Sequence, residues 1–280
     1  MKSSLTFMER MAVKLGRLNE FPRFKHFQLA VMRKTTGLLI KTLFGHRVYY
    51  DNLSALLNLN PDRGVMFVGN HRTFFDLWFT ASFSYPKRAK WLRQISFPVR
   101  STFFYDNPLG MFINYFFGMG VMYPPIFRDR KKLSWNKDAL KRVIHALSMP
   151  GVLVGYHPEG MRNKGDDPYQ LLPGKPGVGQ VIFEAKPIVI PFFINGVESS
   201  FLANVKSDRP IIVTFGEPID FSHFFKQEKS QRLQRLFVEM SEYSLQAVRE
   251  LMPREKELRQ LFAEGKIGKE DPCWGVGKIV

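Results

Sequence analysis

The stretch Val65-Met66-Phe67-Val68-Gly69-Asn70-His71-Arg72-Thr73-Phe74-Phe75-Asp76 decides the fold. Four consecutive apolar residues ending at a glycine read as a short strand buried on both faces. Residues 74–83 then have helical character, so a strand passes into a helix through a polar turn. Outward from there the alternation repeats. Further strands are expected at 91–97, 120–123, 152–156, 188–194 and 211–215, and helices at 136–147 and 178–185. A long helix is expected where Leu233, Leu236, Phe237, Met240, Ser244, Ala247, Val248 and Leu251 recur at helical spacing, stopping at Pro253. Residues 47–51 alternate like an edge strand, with Asp51 placed to cap the element after it. The expected class is α/β, with a mostly parallel central sheet flanked by helices and an N-terminal amphipathic helical appendage.

Composition narrows the field of functions. The chain has 280 residues, 45% hydrophobic and 24% charged, which excludes a disordered chain, a coiled coil and a disulfide mini-protein. Its one cysteine, Cys273, forms neither an internal disulfide nor a cysteine-based metal site. The formal net charge is +16, and 27 residues are Phe. Residues 1–50 hold ten Lys and Arg against two acids, half of that excess. Between Phe27 and Phe44, Leu29, Met32, Leu38, Leu39 and Leu43 interleave with Arg33, Lys34 and Lys41. This suits a helix in a membrane interface, and equally a helix packed on the domain with a solvated basic face. The expected division is a basic membrane-interface segment at 1–46 and an α/β domain at 47–280. Glu9, Arg10 and Lys14 interrupt any signal-peptide core. The uncharged stretch 107–127 is broken by Pro108, Pro124, Pro125 and three glycines, so it is expected to touch lipid rather than cross it. No zinc finger, helix-turn-helix or RNA-binding aromatic motif accompanies the charge, so the expected partner is an anionic membrane surface and no nucleic acid.

Two constellations carry candidate chemistry. His71 and Asp76 lie just past the end of an expected strand, where open α/β sheets place their ligands. A turn between them brings the carboxylate to one imidazole nitrogen and leaves the other to take a proton from a hydroxyl. The spacing alone carries little, because His46 and Asp51 repeat it inside the expected edge strand. The second constellation, Glu159-Gly160-Met161-Arg162, also follows a strand. Its glycine admits close approach of a ligand, its guanidinium suits phosphate, and Glu159 either anchors that arginine or binds a substrate hydroxyl. Gly174-Lys175-Pro176-Gly177 lacks P-loop spacing but precedes a helix, which turns Lys175 toward an anion. His157-Pro158-Glu159 without further cysteines excludes a zinc deaminase. A Gly-x-Ser-x-Gly elbow is missing, which argues against an acyl-enzyme. No metal or cofactor is expected.

Together and in order, these residues resemble the glycerolipid acyltransferase family, whose lysophosphatidic acid acyltransferases carry an Asn-His-x4-Asp block and a Glu-Gly-x-Arg block. Here the blocks are 70–76 and 159–162. Residues 186–196 and 216–220 resemble the family's proline-containing strand and the turn after its last strand, so the resemblance spans about 47–251. It implies an acyltransferase of phospholipid biosynthesis on the cytoplasmic face of a membrane. Such an enzyme moves a fatty acyl group from acyl-CoA or acyl carrier protein to the hydroxyl of 1-acyl-glycerol-3-phosphate. His71 would be the general base and Asp76 its orienter. Glu159, Gly160 and Arg162 would bind the phosphate head group, with Arg128 from the middle block and Lys175. That middle block departs from the family pattern at Pro124-Pro125, which leaves glycerol 3-phosphate, another lysophospholipid or an amino-acid lipid open as acceptor. The non-enzymatic alternative is a basic protein that binds membrane or nucleic acid.

Overall fold

Strand and helix alternate in the structure, a computed structural model, which describes residues 5–84, 89–118, 120–226 and 233–274. Its strands are β1 (Val48–Asp51), β2 (Val65–Gly69), β3 (Gln94–Ser96), β4 (Val99–Arg100), β5 (Pro125–Ile126), β6 (Val152–Tyr156), β7 (Ile188–Asn195) and β8 (Ile211–Phe215). Six of them form the main sheet in the order β1-β8-β7-β2-β6-β3, and β4 pairs with β5 in a small second sheet. Every pairing is parallel except β7 with β8. The α-helices are α1 (Phe7–Gly16), α2 (Pro22–Phe44), α3 (Leu53–Leu57), α4 (Asp76–Thr80), α5 (Ser101–Phe104), α6 (Pro108–Phe112), α7 (Leu133–Leu147), α8 (Pro176–Ala185), α9 (Phe201–Lys206), α10 (Ser222–Phe225) and α11 (Leu233–Ala263).

The apolar run in β2 has a physical reason: successive side chains feed two different cores. Val65 and Phe67 join Leu29, Met32, Ile40 and Phe44 of α2 on one face of the sheet. Met66 and Val68 join residues of α7, α8 and α11 on the other. A strand covered on both faces cannot alternate apolar with polar. One face of α2 is thus built into the first core, while Phe27 and Leu38 are exposed, as are Phe7 and Phe21 ahead of them. No helix among the described residues is long and apolar enough to cross a membrane.

Four expectations are corrected. No strand forms at 120–123, because its amides are satisfied locally: Val121 donates to the Gly118 carbonyl, Tyr123 to that of Val121, and Met122 to Asn114 Oδ1. Pro124 and Pro125 have no N–H to extend a ladder, and only the two-residue β5 follows. The strand expected at 91–97 shortens to β3. Helix α11 runs through Pro253 to Ala263. A proline inside a helix costs about 3 kcal/mol, and burial of Leu258 against Tyr49, Ile212 and Trp274 beyond it works against that cost. Asp51 does not cap α3, whose N-cap is Asn52 in the left-handed region; it pairs instead with Arg254 at 3.5 Å.

Candidate active site

Parallel pairing puts Val68 of β2 opposite Tyr156 of β6, so the residues leaving both carboxyl ends emerge side by side. Gly69 ends β2 under the ring of Phe192, where an added Cβ would lie 2.4 Å from ring carbons. Asn70 is buried and locked across the sheet, donating to the Ile194 carbonyl at 2.8 Å and accepting the Ile194 N–H at 2.9 Å. The strand therefore stops at a fixed point, and His71 starts the turn.

That turn is closed by a carboxylate. Asp76 Oδ2 accepts the N–H groups of Arg72 at 2.7 Å and Thr73 at 2.8 Å, and Oδ1 accepts the Thr73 hydroxyl at 2.7 Å. The same Oδ2 lies 3.1 Å from His71 Nδ1. Burial by itself would raise this carboxyl, but the His71 bond, the neighbouring imidazoles and Thr73 hold it below the ordinary aspartate range. An ionised acceptor at Nδ1 selects the Nδ1–H tautomer and leaves the Nε2 lone pair free. The His71 side chain is 23% exposed and lines a cleft of about 540 Å³.

Glu159 holds the His71 loop from behind. It is fully buried; Oε1 accepts the His71 N–H and Oε2 the Leu172 N–H, each at 2.7 Å. Burial pushes its carboxyl up, partly offset by those two amides. His71 is gripped at its other end too, because the Asn163 N–H donates to its carbonyl at 2.7 Å. Contact of Glu159 with a head group is therefore corrected: its oxygens face backbone amides, and it does not line the cleft. Gly160, Arg162 and Lys175 do line it with His71. Gly160 sits at φ +65, where a Cβ would be strained and would meet Lys175 Cγ at 2.9 Å. The Gly179 N–H of α8 is taken by Ser241 Oγ, so that amide does not point at a ligand.

Two cleft residues were given no site role from the sequence. Arg100, at the end of β4, lines the cleft beside Arg162. Its pKa is lowered first by burial and then by the fields of Arg128 and Arg162; Arg100 and Arg162 share the cleft lining, which among the described residues holds no acid. Arg128 is exposed and acts from outside the lining. His157 stacks on His71 with centroids 3.9 Å apart and planes 5° from parallel. Its Nδ1 lies 3.1 Å from the Gly69 carbonyl. Burial first, and then the neighbouring His71, lower its pKa to about 3, so this ring stays neutral. The signal for His157 was available as strand register, since β2 and β6 end level; the signal for Arg100 was not, because β4 has only two residues. Nitrogen and oxygen atoms of His71, Asp76 and His157 lie within 4.8 Å of one another. Stacked rings aim their lone pairs along parallel planes rather than at one ion, so the trio is better built for proton handling than for a metal.

The remaining walls are apolar, with Phe74, Phe97, Phe103, Phe104, Trp78 and Val181 among them. Beyond Phe103, Leu109, Phe112 and Phe116 are more than half exposed, the last two stacked 5.0 Å apart.

A family model described as Acyltransferase matches residues 50–195. No curated relative matches the chain. Among solved structures it is similar to the crystal structure of the 1-acyl-sn-glycerophosphate (LPA) acyltransferase PlsC from Thermotoga maritima, with 18% identity and a TM-score of 0.46 over 80% of this chain and 79% of that one.

Proposed function

The chain belongs to the acyltransferase family, and from that premise we propose that it transfers a fatty acyl group from a thioester donor to the hydroxyl of a phosphate-bearing lysolipid, 1-acyl-glycerol-3-phosphate first among them. The observation that carries this reading is one cleft holding three things together: an Asp-oriented imidazole, a group of guanidiniums without an acid, and long aromatic walls. They match, in turn, the proton to be removed, the phosphate to be held and the acyl chains to be shielded from water.

His71 Nε2 takes the proton of the acceptor hydroxyl as its oxygen attacks the thioester carbonyl. The resulting imidazolium is stabilised by Asp76, which stays ionised. The tetrahedral intermediate collapses, the carbon–sulfur bond breaks, and the imidazolium returns its proton to the leaving thiolate. The products are an ester and a free thiol, and no protein nucleophile is needed. His157 holds the His71 ring flat without competing for the proton. Glu159 is a positioning residue, acting through the His71 amide. Arg100 and Arg162 hold the phosphate with Lys175, and Arg128 adds field from outside. The donor is acyl-CoA or acyl carrier protein.

The N-terminal segment and α6 rest on an anionic membrane surface. Support comes from exposed Phe7, Phe21, Phe27, Leu38, Leu109 and Phe112, together with the basic excess of residues 1–50. The domain division at 46 follows this role rather than the packing, since α2 shares its buried face with the sheet.

Purified protein with acyl-CoA, acyl carrier protein and a panel of acceptors, read by mass spectrometry, tests the reading. A new ester that appears with a lysophosphatidic acid acceptor and disappears in His71→Ala is expected. Undiminished transfer in His71→Ala would overturn the mechanism.

A further inference from the structure

A second cleft of about 540 Å³ lies outside the catalytic one and shares no lining residue with it. It is bounded by the turn from Arg17 to His26 on one side, by Gln94, Ser96, Val152 and Val154 on β3 and β6, and by the second half of α7 on the other side. Five Lys and Arg line it (Arg17, Lys25, Arg93, Lys141 and Arg142) against two acids, Glu20 and Asp138. Glu20 is already engaged, by the Arg142 guanidinium and by the Tyr123 hydroxyl at 2.5 Å.

Lys25 is the feature that asks for a ligand. It is 2% exposed, in the first turn of α2, and its Nζ donates to the Ile95 carbonyl at 3.2 Å. An ammonium has three protons to donate. Among the described residues no carboxylate forms an ion pair with it, and burial with no compensating charge lowers its pKa to about 7. A buried cation without a counter-charge is costly, and a fold that retains one at the floor of a basic cleft is suited to receive the counter-charge from outside.

We propose that this cleft is a second anion site that takes a phosphate group, with Lys25 as its buried partner and Arg17, Arg93 and Lys141 around the rim. A concave cleft of about 540 Å³ fits a small oxyanion or phosphate ester rather than a protein face. The last turns of α7 line this cleft while Asn136 and Leu140 of the same helix line the catalytic one, so a ligand bound here rests on an element that also shapes the active site.

Calorimetric titration of the full chain with inorganic pyrophosphate tests the soluble source of phosphate. Sedimentation with phosphatidylcholine vesicles, with and without phosphatidic acid, tests the lipid source. Lys25→Met should weaken binding about tenfold in at least one arm, with pyrophosphate naming a soluble ligand and phosphatidic acid naming a headgroup. Arg93→Ala with Lys141→Ala, both at exposed positions, should weaken the same arm. Arg162→Ala should leave this binding in place, and would remove a second equivalent of pyrophosphate if the catalytic cleft holds phosphate as proposed above. Loss of that second equivalent alone bears only on the catalytic reading. Binding unchanged in every arm for both Lys25→Met and the rim variant would overturn the second site.

Discussion

Two histidines in this chain precede an aspartate by five positions, and they end in opposite surroundings. Between His71 and Asp76 the chain turns, and the carboxylate takes two backbone amides, a hydroxyl and the imidazole. His46 lies in a turn at 45–47, and from Val48 to Asp51 the chain runs straight as β1. A strand rises about 3.3 Å per residue, so Asp51 is carried away to Arg254 while His46 stays exposed. The buried cation of that region is its neighbour Arg47, which donates to the carbonyls of Ser207 at 2.6 Å and Gly196 at 3.0 Å. Equal spacing therefore carries chemistry only where local backbone folds the carboxylate back.

The largest expected effect breaks this comparison directly. His71→Ala should reduce acyl transfer by about three orders of magnitude or more, the scale of a general base together with its positioning. His46→Ala should leave steady-state kinetics within about twofold. A comparable loss in both would mean that spacing and not the turn matters. Asp76→Asn comes next, at about two to four orders of magnitude in kcat. The amide still receives a hydrogen bond from Thr73, but it favours the wrong imidazole tautomer and cannot stabilise the imidazolium. Transfer close to wild type in a folded Asp76→Asn protein would remove the orienting role.

How much of this was legible depended on whether one strand or several set the geometry. Strands β2, β6, β7 and β8 could be read because burial on both faces leaves an uninterrupted apolar run. His71, Gly160, Arg162 and Lys175 could be found because each follows a strand or precedes a helix that was itself readable. Glu159 could be found but not its contact, since nothing local says that the amides of His71 and Leu172 will converge on it. Arg100 depends on a strand pair two residues long, and Pro253 on burial of Leu258 beneath Tyr49 and Trp274. These are outcomes of tertiary packing, which overrides propensity and cannot be read from a window of sequence.

A smaller effect concerns the stacked ring, which has no counterpart beside His46. His157→Phe keeps a flat partner at His71 but removes the bond to the Gly69 carbonyl, whereas His157→Ala removes both. Expected losses in kcat are about twofold for the phenylalanine and about tenfold for the alanine. Equal behaviour of the two variants would show that stacking is not what positions His71.

The smallest effect compares the two aspartates through the pH dependence of stability, where sign decides rather than size. Asp76 is held below its ordinary value near 3.8 by hydrogen bonds that overcome burial. The unfolded chain then binds the proton more tightly, so the stability Asp76 contributes is complete above that value and is lost as pH falls through the folded one. Asp51 is raised above the same value, by burial first, with Arg254 offsetting only part and Glu257 adding to the rise. Here the folded chain binds the proton more tightly, so stability declines as pH rises from about 3.8 through the folded value. Urea midpoints of Asp76→Asn and Asp51→Asn, measured from about pH 3 to about pH 7, should diverge from wild type in opposite directions. The Asp76 variant falls behind as pH rises, and the Asp51 variant gains. Parallel curves would mean that the two carboxylates sit in equivalent environments, and the distinction between turn and strand would lose its electrostatic support.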